Sequence, residues 1–189
     1  MADKISPKLG TVGDGGQTPF RYPNVYAVEQ TTGPPRLIVG PAGDHIETLL
    51  SLAEVWRRDY YLLYVLLVPR LGKRELGRYQ SPGPLSFEQV AAFCRRFAPF
   101  LRGDGRHHLW AGSTVNAGLL IYDHHDWIWA YGDLSAYIQV LKAKRYAEGE
   151  IDLPAPHSHN FNSRFDAEED AVGAYCKWSY FPLQPADED

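Results

Sequence analysis

Cysteine is nearly absent from this 189-residue chain: Cys94 and Cys176 are its only two, far apart and outside any Cys-x-x-Cys pair. Two such cysteines exclude a disulfide framework and read as small apolar core residues in a reducing compartment. Long hydrophobic runs are also missing. The longest, from Tyr60 to Pro69, reaches about half of the ~20 residues a membrane helix needs. The opening Met-Ala-Asp-Lys lacks the basic flank and apolar stretch of a secretion signal. A cytoplasmic location with no membrane partner is therefore expected. Positive charge is not in excess either: the formal net charge is −4, which argues against non-specific binding to nucleic acid. The Gly-x-Ser-x-Gly elbow, the phosphate loop ending in Gly-Lys-Ser/Thr and the dinucleotide fingerprint Gly-x-Gly-x-x-Gly between strand and helix do not occur.

What is present describes a globular chain. The 44% hydrophobic and 22% charged shares are ordinary, and a chain of this length buries a core without disulfides or metals. Residues 1–22 are rich in Gly, Pro, Lys and Thr without apolar periodicity and are read as a flexible N-terminal arm. Residues 23–183 form a single domain, and 184–189 an acidic C-terminal tail.

Within 23–183 the patterning alternates between strands and helices. Val25–Val28 and Arg36–Val39 flank the turn Thr32-Gly33-Pro34-Pro35 as a hairpin. Asp44 with Glu47, Ser86 with Gln89, and Asp166 with Glu169 are spaced as capping boxes at three helix starts. Asp133 caps a fourth helix. The unbroken apolar stretch Tyr60–Val68 reads as a central strand covered on both faces. His108–Ala111, Leu119–Tyr122 and Trp127–Tyr131 are three further strands, the last two a hairpin closed by Asp123-His124-His125-Asp126. Strands and helices mix without strict alternation, so the class is α+β. The expected architecture is a mostly antiparallel mixed sheet of six or seven strands with three or four helices against it.

Six of the seven histidines come in pairs: His107-His108, His124-His125 and His157-x-His159. In an extended segment residues two apart share a face, so His157 and His159 can reach one metal. Asp123, Asp126 or His124 of the neighbouring hairpin can complete three ligands around a divalent transition metal with a position left for water. The plainer account is a pair of histidines hydrogen-bonding at a sheet edge. His124 and Asp126 are also candidates for acid–base catalysis, although Asp-rich hairpin tips are what tight turns want and usually stand open to water. Trp127, Trp129 and Tyr131 share one strand face, suited to core packing or to stacking a ring.

Arg70, Lys73, Arg74 and Arg78 lie beside Tyr79 in one polar stretch. Arg74, Arg78 and Tyr79 make a candidate surface for a protein partner, and long loops also carry such cations against aggregation. Two functions follow. One is a non-catalytic, regulatory or inhibitor-like domain that binds another protein, with self-association left open. The other is a metal-dependent hydrolase built on the His-x-His pair.

Overall fold

Alternation along the middle strands divides the molecule into two faces. Leu109, Ala111, Leu120, Tyr122, Ile128 and Ala130 are fully buried, and the residues between them point to the opposite side. The computed structural model describes residues 6–57, 59–70 and 74–187, and it shows an α+β domain.

Its strands are β1 (Leu9–Gly13), β2 (Gly16–Pro19), β3 (Val25–Glu29), β4 (Arg36–Gly40), β5 (Tyr60–Leu66) and β6 (Gly77–Gln80). They continue as β7 (His107–Ser113), β8 (Leu119–Tyr122), β9 (Ile128–Tyr131), β10 (Ala147–Glu148), β11 (His157–His159) and β12 (Ser179–Phe181). The helices are α1 (His45–Ala53), α2 (Phe87–Arg96), α3 (Ala98–Gly103), α4 (Leu134–Ala143) and α5 (Asp166–Ala174).

One sheet has nine strands in the order β10-β3-β4-β9-β8-β7-β5-β6-β12. All its pairings are antiparallel except β10 with β3. The expected count of six or seven strands is too low. The two additions are the short edge strands β10 and β12, each of two or three mostly exposed residues; strands that short carry no periodicity to read.

A second correction concerns residues 1–22, expected as a flexible arm. Among its described residues, β1 and β2 pair with each other and β1 pairs with β11, forming a separate three-stranded sheet. Asp187, in the expected tail, is buried with its carboxylate on the Arg78 guanidinium at 2.6 and 2.7 Å.

The helices lie against one face of the large sheet, α1 on β8, α2 on β5, α3 on β7 and α4 on β9. Ser86 and Gln89 close the expected capping box, a device worth ~1 kcal/mol. Asp133 caps α4 through the Ala136 amide. Asp44 and Asp166 do not cap; Glu47 instead pairs with Arg95 at 2.8 Å, and Asp166 pairs with Arg70. Strand β5 is covered on both faces only over Tyr64, Val65 and Leu66; nearer its start Tyr61 and Leu63 are half-exposed on the second face. On that second face only a small apolar cluster forms, Leu9, Tyr22, Val25, Ile38 and Trp127. Elsewhere on this face Tyr61, Trp110, Ile121 and Trp129 are half-exposed. Among the described residues no helix is long and apolar enough to cross a membrane.

His107 on β7 points to the helix side and lies 4.4 Å from the ring of Phe100 and 5.3 Å from that of Tyr64. Burial, with Lys8 adding to it, holds its imidazole well below the ordinary 6.5. Unfolding lets it protonate near that value, so below about pH 6.5 the unfolded chain binds the extra proton and stability falls, by up to ~1.4 kcal/mol per pH unit. Urea midpoints of wild type and His107→Phe at pH 7 and pH 5 should show a smaller acid loss in the variant. Equal losses would contradict this account.

Candidate metal centre

Three segments distant in the chain meet at one end of the open face. His108 projects there from β7, its neighbours His107 and Leu109 being turned to the helices. The turn between β8 and β9 brings Asp123, His124 and His125. It closes through the Asp123 amide on the Trp127 carbonyl at 3.2 Å, and Asp126 adopts a left-handed φ of 65°. Strand β11 brings His157 and His159.

β11 has three residues and no partner in the large sheet. Its position comes from the N-terminal segment: His159 pairs with Leu9 and His157 with Thr11. The Asn160 amide donates to the Lys8 carbonyl at 2.7 Å, and the Asn160 side chain donates to the Pro7 carbonyl at 2.6 Å. Gly105 permits the approach, since a side chain there would meet the His159 Cβ at 3.0 Å. Lys8 itself is fully buried. Its ammonium donates to the Asp123 carbonyl at 2.7 Å and sits 3.6 Å above the Tyr122 ring. Burial pushes its pKa down to about 8, against the pull of Asp126 and Asp123.

Five imidazoles crowd together under this roof. The His108 and His124 rings stack at 4.8 Å, with Nε2 of one 2.5 Å from Nδ1 of the other. The His124 ring is 4.0 Å from that of His125 and 4.4 Å from that of His159. His157 stands at 5.3 Å from His159 and 5.6 Å from His125. One nitrogen from each of His124, His125 and His159 lies within 4.8 Å of the others, the one such group of three metal-binding side chains among the described residues. Zn–N bonds of ~2.1 Å in a tetrahedron place nitrogens ~3.4 Å apart. Side-chain rotations of about 1 Å would therefore close these three around an ion.

The far nitrogens are already oriented. His159 Nδ1 faces the His124 carbonyl at 3.1 Å, His125 Nδ1 faces Asp123 Oδ2 at 3.4 Å, and His157 Nδ1 faces the Pro154 carbonyl at 3.0 Å. Each contact asks for a proton on Nδ1 and leaves Nε2 as the lone-pair donor, the usual outer arrangement for a metal-ligating histidine. Burial and the neighbouring imidazoles hold His124 at about 2, and burial holds His108 and His159 at about 4. All three are therefore neutral at pH 7, the form a metal requires.

Asp123 sits behind this group. Its carboxylate is buried and accepts from the His125 amide at 2.8 Å, the Trp127 indole at 2.5 Å and the Trp129 indole at 3.0 Å. Burial opposes its ionisation, but the His125 hydrogen bond and nearby imidazoles hold it below the usual carboxylate range.

The structure thus brings His157, His159, His124 and Asp123 together and turns Asp126 away. Asp126 accepts from the Tyr122 hydroxyl at 2.6 Å and lies 3.3 Å from His45, buried on the other side of the turn. Arg74, Arg78 and Tyr79 are elsewhere. Tyr79 is buried, Arg74 lies across Gly173, and Arg78 grips Asp187. Lys73 lies outside the described residues. His108 and His125, noted in the sequence only as members of histidine pairs, and Lys8, not noted at all, complete the site. Parity along β7 was the available signal for His108, whereas nothing local marked Lys8.

His108 and Asp123 also form the head of a cleft of about 500 Å³ on the open face. Trp110, Ile121 and Trp129 are direct cross-strand neighbours on its floor. Arg36 and Tyr131 close its far end. Comparison with protein-family models, curated proteins and solved structures returns no match.

Replacing Trp127 with Phe removes a donor from a buried carboxylate, a change that costs ~2–3 kcal/mol. Denaturant unfolding followed by circular dichroism should show that loss in Trp127→Phe. A variant as stable as wild type would mean that the Asp123 hydrogen bonds do not hold the turn.

Proposed function

We propose that this chain is a metal-dependent enzyme of hydrolytic type, with His124, His125 and His159 as ligands of a divalent transition ion. The observation that carries the reading is the meeting of those three imidazoles, drawn from a turn and a remote strand, directly behind His108 and Asp123, which line the head of the cleft. A divalent ion held by these three imidazoles, with one position open, would supply a water of lowered pKa.

The chain's own groups divide the remaining work. Asp123 fixes the tautomer and angle of His125, and the His124 carbonyl does the same for His159. His108 braces His124. His157, beside the three and partly exposed, is placed to accept the proton from water. The small N-terminal sheet keeps bulk water from one side, and the cleft admits substrate from the other.

The other reading, a non-catalytic domain docking through Arg74, Arg78 and Tyr79, has less to stand on. Two of these side chains are spent on internal contacts and the third is buried.

Elemental mass spectrometry of untagged protein, dialysed against zinc and then buffer, tests the proposal. Wild type should retain near-stoichiometric metal, and the His124→Ala/His159→Ala variant should retain none while keeping its circular dichroism spectrum. Wild type without metal, or a double variant that still holds it, would refute the centre.

A further inference from the structure

The cleft does not end at Tyr131. Leu119 and Tyr131, paired across β8 and β9, line it and also line a second cavity of about 640 Å³. That cavity is walled by Pro34, Val55, Trp56 and Gly118 at the opposite end of the strands from the histidines. The two spaces are therefore neighbours across one pair of side chains. Successive residues on one face of a strand are ~6.7 Å apart. The row of Leu119 and Tyr131 thus lies ~13 Å from the row of His108 and Asp123, two such steps along the floor.

The chemistry of the lining is consistent along this path. Trp110, Ile121 and Trp129 make an apolar floor. Arg36, the cation at the junction, is paired with Glu29, donates to the Tyr131 hydroxyl and lies 3.4 Å over the Trp129 ring. In the second cavity the Trp56 indole donates to the Tyr137 hydroxyl at 2.6 Å. The Asn116 and Asp133 side chains there accept from the Gly118 and Ala136 amides at 2.8 and 3.0 Å. Most polar groups along the path are already partnered; the Trp110 indole N–H on the floor is one that is not. A ligand rich in hydroxyls or charge would leave most of its own polar groups unpaired, which is costly, whereas an elongated apolar ligand with a single carbonyl asks for few partners.

We infer that the substrate is an uncharged acyl ester or amide. Its carbonyl meets the histidine centre, and its apolar tail runs over Trp110, Ile121 and Trp129 toward the cavity under Trp56. The inference rests on the hydrolytic reading above for the reaction, and on the two cavities alone for the tail. In the reaction the oxygen of water bonds to the acyl carbon. The bond from that carbon to the departing oxygen or nitrogen breaks, and the proton leaves on the alcohol or amine.

Two experiments separate these parts. The first uses the zinc-loaded protein with 4-nitrophenyl acetate, butyrate and octanoate. Each methylene buried on binding favours the longer chain, so kcat/KM should rise at least about tenfold from acetate to octanoate. Ala117→Trp, on an exposed loop beside the second cavity, and Leu119→Trp, at the junction, should bring that ratio toward unity. The second uses the uncharged dye N-phenyl-1-naphthylamine on chelator-treated, metal-free wild type. Its fluorescence should rise on binding, and both tryptophan variants should weaken the rise. Dye binding insensitive to both substitutions, or an octanoate rate no higher than the acetate rate, would overturn the tail assignment. Dye binding of the expected pattern in a protein that takes up no zinc leaves the tail assignment standing and removes the hydrolytic reading instead.

Discussion

A carboxylate buried in a turn between two strands has to be surrounded by donors, and the demand made by Asp123 organises this end of the molecule. Two indoles and the His125 amide supply those donors. Because the indoles belong to Trp127 and Trp129, satisfying the charge also fixes where the start of β9 lies on the open face. Because the third donor belongs to His125, the same charge sets the direction of an imidazole. The carbonyl of Asp123 receives the buried Lys8 ammonium, so the N-terminal segment is tied to the turn. Remove the charge, and the turn and the indoles of Trp127 and Trp129 lose a common partner, while the Lys8 bond to the backbone carbonyl remains.

That dependence explains which parts of the molecule were legible in the sequence. The middle strands were, as segments, but not which face meets the helices: Trp127, Trp129 and Tyr131 read as a core-packing face, whereas Ile128 and Ala130 are the fully buried side of β9. Ser86 with Gln89, and Asp133, announced their helices for local reasons and cap them in the structure. Other elements depended on partners far away in the chain. β1 and β2 are short and rich in Gly and Thr; they pair with each other, and β1 also pairs with β11 from the far end of the chain. The tip Asp123-His124-His125-Asp126 resembled an ordinary solvated turn, and residues more than a hundred positions earlier bury it. His157-x-His159 and the His124 position were visible as candidates. The geometry that unites them passes through Lys8 and Asn160, which carry no motif.

The two faces of the large sheet have separate tasks. The helices bury one face and supply the stability. The other keeps a partial cover, a small cluster around Leu9 and Trp127 at one edge and the histidine group at one end. Between the cover and the far edge lies a floor of Trp110, Ile121 and Trp129, where a bound molecule would meet largely apolar surface. The cations that looked like a docking patch instead join the C-terminal segment to the body: Arg78 holds Asp187 and Arg70 holds Asp166. Sequence distance and surface charge were misleading for the same reason, as both depend on what the chain later lays over them.

The central claim is that His124, His125 and His159 share one metal ion. X-ray absorption spectroscopy of the zinc-reconstituted protein tests it most directly. The account predicts a first shell of imidazole nitrogens at ~2.0–2.1 Å, three in number, with a lighter oxygen scatterer in the open position. A shell of oxygens without the multiple scattering of imidazole, or zinc that remains hexahydrated, would contradict it.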